Sequence, residues 1–263
     1  MEHFESENRD SVEPVENSLK GQVAAGECVT IRGLTKEYKK STGGSKLAVD
    51  NLDLTMYSGQ ITALLGHNGA GKTTTIGMLT GMIPVTSGVA FVAGRDVVGD
   101  MVNIRHSLGV CPQHDILYPD LTVREHLRMY AVLKAVPWSR LQEVIQTTLA
   151  DVGLTEKENE LTDTLSGGQK RKLSVGIALL GGSKVVFLDE PTSGMDPHRQ
   201  GQISCRRFTW DLIRKNREGR VIVLTTHFMD EADLLGDRVA IMADGMLQCC
   251  GSSLFLKNHY GVG

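Results

Sequence analysis

Gly66-His67-Asn68-Gly69-Ala70-Gly71-Lys72-Thr73 fits the pattern G-x-x-x-x-G-K-[ST] without a gap, between an apolar run (61–65) and a helical run (72–79). Strand, glycine-rich turn and helix in that order build one physical device. Glycines let the backbone curl so that successive N–H groups point inward, and the helix N-terminus adds a dipole that favours an anion. Gly66, Asn68, Gly69, Ala70 and Gly71 are therefore expected to cradle phosphates. Lys72 is expected to reach the β- and γ-phosphates of a nucleotide, the Thr73 hydroxyl to ligate Mg²⁺, and Thr74 to add a phosphate contact.

Outward from this loop, short apolar runs alternate with helix-length segments. Candidate strands fall at 29–34, 47–54, 60–65, 89–92, 108–111, 185–188, 220–225 and 239–243. Candidate helices fall at 72–81, 122–134, 139–152, 168–180, 197–215 and 229–235. Several strands are continuously apolar, the pattern of strands buried on both faces of a mostly parallel sheet. The alternation predicts an α/β layered fold. Between Pro119 and about Leu180 three helical patterns follow one another with no strand, which predicts a helical subdomain over about 119–180 inserted into the sheet domain.

Composition narrows the classes. The 263 residues carry 28 Lys+Arg against 31 Asp+Glu, a net charge of −3, which argues against a general nucleic-acid binder. No apolar run approaches the ~18 residues of a membrane helix, and the first twenty residues lack the apolar core of a secretory signal. The chain is thus expected neither to cross a membrane nor to enter the secretory route by itself. Residues 1–20 hold six acidic and two basic residues, a balance of −4, and the remainder is close to neutral. This acidic segment is polar and aperiodic, so 1–26 is expected to be a disordered tail or linker ahead of a domain over 27–263. Cys28, Cys111, Cys205, Cys249 and Cys250 show no metal-binding spacing and suit reduced thiols in a cytosolic compartment.

Val185-Val186-Phe187-Leu188-Asp189-Glu190 is an apolar strand ending in two carboxylates. That places them at the C-terminal edge of the sheet, where α/β folds bind ligands. Asp189 is suited to hold Mg²⁺, and Glu190, facing differently, to polarise an attacking water as general base. Of the remaining charged stretches, Lys170-Arg171-Lys172 reads as the solvated face of a helix. His67, His114 and His126 read as structural.

A third element is Leu165-Ser166-Gly167-Gly168-Gln169, opening the helix at 168–180. Alone it is also a loop ending in a helix N-cap, with Ser166 as the cap. Between the phosphate loop and the acidic strand, it resembles the signature of the nucleotide-binding domains of ATP-binding cassette (ABC) proteins. The resemblance covers about residues 28–263. It implies a P-loop fold of ABC type, with a mostly parallel central sheet, an antiparallel β part and an inserted helical subdomain. It further implies that Gln113 contacts Mg²⁺ and couples the site to a membrane partner, with residues 114–120 beside it as contacts. Ser193-Gly194-Met195-Asp196 resembles the loop that crosses to a second monomer, His227 the histidine at the γ-phosphate, and Tyr38 the aromatic residue that stacks on adenine.

Within the family, Cys111-Pro112-Gln113-His114, Arg171-Lys172-Leu173-Ser174-Val175 and the stretches 227–233 and 251–258 resemble subfamily A, eukaryotic lipid transporters with two transmembrane halves and two cassettes on one polypeptide. The chain then corresponds to one cassette, expected to be the first, and to a piece of a longer polypeptide. Relative to the subfamily pattern, about six residues around 199–204 read as an insertion, and at ~100° each they turn the following apolar face by roughly 240° if helical. Gly201 inside that helix would cost about 1 kcal/mol. Either these residues loop out, or the packing of Phe208 and Leu212 shifts and misplaces the loop at 193–196, or the insertion is an artefact of the gene model.

The mechanism the resemblance implies is ATP-driven closure of two cassettes, with two ATP molecules sandwiched head to tail. Lys72, Glu190 and His227 would be the catalytic residues of one half-site, with Thr73, Gln113 and Asp189 holding Mg²⁺. Ser166, Gly167, Gly168 and Gln169 would act on the ATP of the second cassette. An isolated copy is expected to bind ATP and hydrolyse it weakly. The partners implied are a second cassette and transmembrane domains on the same or another chain, at the cytosolic face of a membrane. A soluble ABC ATPase without transport, and the separate ATPase subunit of a prokaryotic-type exporter, remain open on these residues alone.

Overall fold

Three strands are buried at every position: Ile61–Leu65, Val185–Asp189 and Val221–Thr226. Their uninterrupted apolar runs place them in the middle of a sheet covered on both faces. In the computed structural model, which describes residues 11–39, 43–193 and 200–261, they form its centre.

The strands are β1 (Val29–Lys39), β2 (Ser45–Met56), β3 (Ile61–Leu65), β4 (Ser87–Val92), β5 (Arg95–Asp96), β6 (Leu108–Cys111), β7 (Val185–Asp189), β8 (Val221–Thr226), β9 (Arg238–Ala243) and β10 (Met246–Gly251). The helices are α1 (Asn17–Ala25), α2 (Lys72–Leu79), α3 (Met101–Ser107), α4 (Val123–Leu133), α5 (Trp138–Asp151), α6 (Gly167–Leu179), α7 (Gln200–Lys215), α8 (Met229–Leu235) and α9 (Ser253–Tyr260).

Among the described residues there are two sheets. A six-stranded sheet runs β10-β9-β3-β8-β7-β6, parallel throughout except for the antiparallel β9–β10 edge. A four-stranded antiparallel sheet runs β2-β1-β4-β5. Alternation along the central strands sends side chains into two cores. Ile61, Ala63 and Leu65 of β3, with Val186 and Leu188 of β7, pack towards Leu127, Ile145 and Leu173 of the helices. Leu64 and Phe187 turn the other way, onto Ile31, Leu34 and Leu52 of the antiparallel sheet and Ile76 and Met78 of α2. Each of these side chains larger than alanine contributes about 1.5–3 kcal/mol of burial. No described helix is long and apolar enough to cross a membrane.

Between β6 and β7 the described chain contains α4, α5 and α6 and short 3₁₀ turns. Helix α4 begins with a capping box, in which the Thr122 hydroxyl accepts from the Glu125 N–H and the Glu125 carboxylate accepts from the Thr122 N–H. Beyond its C-terminus, Lys134 Nζ donates to the carbonyls of Ile177, Ala178 and Leu180 and to Ser183 Oγ, tying the α4–α5 turn to the end of α6. Burial, with Arg220 adding repulsion, pushes the Lys134 ammonium down to about 8.

Three expectations are corrected or sharpened. Residues 11–26 are ordered rather than a disordered tail: Glu13 N donates to Cys250 O and Cys250 N to Ser11 O, extending the β10 edge, and α1 follows. The Glu13 carboxylate also accepts from Ser252 N and Ser252 Oγ and pairs with Arg238 at 3.5 Å. Residues 1–10 lie outside the described residues. The strands β5 and β10 and the helices α1, α3 and α9 are not among the expected elements. At the apparent insertion the chain is helical from Gln200 rather than looped out, and Leu212 is buried, with Phe208 packed against the same core beneath Lys172 Nζ. Met195, Asp196 and Pro197 lie outside the described residues.

Candidate functional site

β3 ends at Leu65, and the chain turns through 66–71 into α2. Gly69 and Gly71 have φ of +88° and +102°, which glycine adopts without the strain of a side chain. At Gly71 space is also short, since a Cβ would stand 2.6 Å from the Ala48 carbonyl. Gly66 is required by packing alone: its Cβ would lie 2.3 Å from the Met242 carbonyl of β9. The β9–β10 turn supports the loop from below, with Gly245 N donating to Ala70 O.

Lys72 is buried, and its ammonium donates to Gly66 O at 2.7 Å and His67 O at 3.1 Å. Burial holds its pKa below the ordinary lysine value, and the nearby carboxylates of Glu190 and Asp189 push the other way. The ammonium therefore spans the loop and closes it around the space where phosphates would sit.

The carboxylates stand at the C-terminal end of β7. Asp189 is buried; its Oδ1 accepts from Thr73 Oγ1 at 3.3 Å and from the buried Thr225 hydroxyl. Glu190, the next residue, has φ +47°, a left-handed conformation that costs a non-glycine residue about 1–3 kcal/mol. The kink turns its side chain away from that of Asp189. Glu190 Oε1 lies 3.0 Å from His227 Nδ1, and Oε2 accepts from Gln113 Nε2 at 3.3 Å. His227 packs on the Phe228 ring, 4.0 Å between centroids, just past β8.

Tyr38, Lys46, Ala48, Asn68, Gly69, Gly71, Lys72, Thr73, Thr74, Gln113 and Glu190 line one open cleft of about 390 Å³. The structure thus brings the expected phosphate loop, Tyr38 and the Gln113–Glu190 pair to one place, with His227 hydrogen-bonded at its rim. Ser166, Gly167, Gly168 and Gln169 are not among the residues lining it. They form the first turn of α6, with Ser166 Oγ accepting from Gln169 N at 3.3 Å and Gln169 Oε1 from Ser166 N at 2.9 Å. The capping role and a ligand-facing role are compatible, because the first-turn N–H groups remain at an exposed helix start.

The donor set near Thr73 suits a small hard cation. A hydroxyl and a carboxylate oxygen are 3.3 Å apart, and Mg²⁺ is typically held by one or two protein oxygens together with phosphates and several waters. Among the described residues no cluster of three or more His, Cys, Asp or Glu side chains suited to a metal occurs.

Two residues escaped the sequence reading. Arg171, expected on a solvated face, is 2% exposed and lies beneath the Glu190 main chain. Its spacing from Ser174, Val175 and Ala178, three, four and seven positions on, is the signal that would have placed it on the buried stripe. Glu231 is 1% exposed and accepts from Thr192 Oγ1, Thr226 Oγ1 and Trp210 Nε1, fixing the turn that carries His227 to the segment after Glu190.

Known proteins resemble this chain in sequence and in fold. The ABC transporter family model matches residues 49–193. Human phospholipid-transporting ATPase ABCA3 is 54% identical over 262 residues, which are 100% of this chain and 14% of that protein. Mouse retinal-specific phospholipid-transporting ATPase ABCA4 is 52% identical over 89% of this chain and 10% of its own length. Rat ATP-binding cassette sub-family A member 2 is 48% identical over 99% of this chain and 10% of its own length. The chain therefore spans only a small part of each of these relatives. Among solved structures, an ATP-binding subunit of an ABC transporter superposes with a TM-score of 0.77 at 23% identity, covering 89% of this chain and 93% of that one. The dimeric cassette MJ0796, in a post-hydrolysis state bound to ADP and Pi, gives 0.75 at 22% identity, covering 85% and 98%. Those two likenesses bear on the fold, and the sequence matches bear on the family. The chain belongs to the ABC transporter family, as a cassette of sub-family A.

Proposed function

We propose that this cassette binds ATP with Mg²⁺ and hydrolyses it, closing head to tail on a second cassette to drive lipid transport through transmembrane segments supplied elsewhere. The observation that carries the reading is the single cleft in which the phosphate loop, Thr73, Gln113 and Glu190 meet, with His227 against Glu190.

In this reading the backbone N–H groups of 69–74 and the Lys72 ammonium hold the phosphates, and Tyr38 stacks on the base. Thr73 and Asp189 would hold Mg²⁺, with Gln113 at its edge; when bound, the ion neutralises charge on the β- and γ-phosphate oxygens. Glu190 accepts a proton from the attacking water as its oxygen bonds to the γ-phosphorus, and the bond to the β–γ bridging oxygen breaks, leaving ADP and phosphate. His227 orients the Glu190 carboxylate. The signature turn at Ser166–Gln169 lies outside the cleft, which supports a role toward a second cassette's nucleotide. Lipid as cargo, and a place at the cytosolic face of a membrane, are supported by the relatives' names, two of which are phospholipid-transporting ATPases.

The test is phosphate release by the purified 263-residue chain as a function of its concentration, with light scattering in ATP. Head-to-tail action predicts turnover per chain that rises with concentration, and an ATP-dependent dimer in Glu190→Gln. Absence of both ATP binding and hydrolysis at every concentration overturns the reading.

A further inference from the structure

We propose that Arg171 is a positioning residue for Glu190 and Gln113: one buried guanidinium locks the main chain of both segments to the helix that begins at the signature turn. This rests on the ATPase reading of the cleft.

The Arg171 side chain is 3% exposed. Its Nη2 donates to Asp189 O and Glu190 O, each at 2.7 Å, and its Nε to Pro191 O at 3.0 Å. Nη1 donates to Pro112 O at 2.6 Å, to Gln113 O at 3.3 Å and to Asp115 Oδ1 at 3.2 Å. Ser174, one turn on along α6, also donates to Asp115 Oδ1, at 2.9 Å. Five of the six acceptors of Arg171 are therefore main-chain carbonyls, three at 189–191 and two at 112–113. These are the two segments that carry Glu190 and Gln113.

A stability role alone does not call for this arrangement. A buried charge is costly, and apolar side chains fill such a space at least as well. A planar fork with five N–H groups can, however, hold peptide planes of two separate segments in one fixed geometry, which an apolar group does not do and the compact, freely rotating ammonium of a lysine at this position does not reproduce. Glu190 is where such fixing is required, since its φ is +47°. Its N–H donates to Thr225 Oγ1 at 2.9 Å and its carbonyl accepts from Arg171, so the strained residue is held on both sides. The direction of its carboxylate, towards His227 and Gln113, follows from that restraint. Because Arg171 is five residues beyond Ser166 on the same helix, any displacement of α6 reaches Glu190 and Gln113 through one rigid group.

The experiment is steady-state ATP hydrolysis and equilibrium binding of a fluorescent ATP analogue by the 263-residue chain carrying Arg171→Lys, alone and with Glu190→Gln. Positioning predicts a fall in kcat of about 10–100-fold with KM and ATP affinity changed less than about threefold, because the phosphate loop is untouched and small misplacements of a reacting group are costly. In single-turnover measurements the loss is expected to vanish when Glu190 is already Gln, whereas a merely structural role gives the same proportional loss in both backgrounds. Should Arg171→Lys fail to fold, Asp115→Asn carries the test: it slackens the guanidinium without removing it, and kcat should fall several-fold at unchanged ATP affinity. Unchanged kcat in the folded variant, or losses that multiply with Glu190→Gln, overturn the proposal. A wild-type chain that hydrolyses no ATP refutes the ATPase reading instead.

Discussion

His227 Nδ1 lies 3.0 Å from Glu190 Oε1, across the end of the sheet from one strand turn to the next. With Gln113 on the other oxygen, both carboxylate oxygens are engaged by side chains of this chain. A general base held this way should be sensitive to small changes. Glu190→Gln is expected to leave ATP binding intact and to cut turnover by roughly 10²–10⁴, and His227→Ala, which removes both the restraint on Glu190 and the expected contact to the γ-phosphate, should lower turnover as well. Phosphate release and nucleotide binding, measured side by side, check this; comparable turnover in wild type and Glu190→Gln would remove Glu190 from its role.

Lys72 bridges its own loop through Gly66 O and His67 O. Lys72→Ala is expected to abolish ATP binding in an equilibrium titration. Because burial depresses the ammonium, phosphate affinity should weaken on the alkaline side at a lower pH than an ordinary lysine would give. Undiminished affinity in Lys72→Ala would refute the phosphate contact.

Lys134 makes a prediction about stability and pH. The folded chain releases its proton near 8, whereas the unfolded lysine keeps it to about 10.5. Between those values the unfolded chain binds more protons, so stability rises with pH there; below about 8 the full cost of burying the ammonium applies, about 3 kcal/mol. Thermal unfolding of the wild type minus that of Lys134→Met, followed from pH 7 to 10.5, should show this rise. A difference that is flat with pH would contradict it.

Glu13 ties the segment at 11–16 to Ser252 and Arg238. Glu13→Ala leaves the start of α9 uncapped from outside and takes from Arg238 an acid partner. A loss of about 1–3 kcal/mol is expected by urea denaturation, with ATP binding unaffected. An unchanged midpoint would mean that the segment is held by its backbone pairing to β10 alone.

What sequence could show depended on whether a feature is periodic or relational. The strands at 61–65, 185–188 and 220–225 were legible because burial on both faces forces unbroken apolar runs. The loop's pattern was legible because Gly69 and Gly71 answer to backbone geometry, at φ of +88° and +102°. Helix α9 and strand β10 were missed although their local signals exist: Ser252 caps the helix, accepting from Phe255 N, and Asp244-Gly245, both at positive φ, turns the hairpin. The ordering of 11–16 could not be read, because it depends on main-chain pairing with Cys250, to which side-chain polarity is blind. Arg171 was misread because a run of three basic residues was weighed by charge and not by its position on the helix. For Gly194, Met195 and Asp196, expected to face a second cassette, and for Pro197, the described residues offer no account.

The loop's first glycine carries a lesson for anyone who would transplant it. Gly66 is small because Met242 of β9 crowds it, and the loop's floor is the β9–β10 turn reaching Ala70 through Gly245. The exchangeable part is therefore two pieces of chain, residues 61–75 together with 238–245. Grafted onto a foreign sheet without that second piece, the eight-residue motif would keep its spelling and lose its shape.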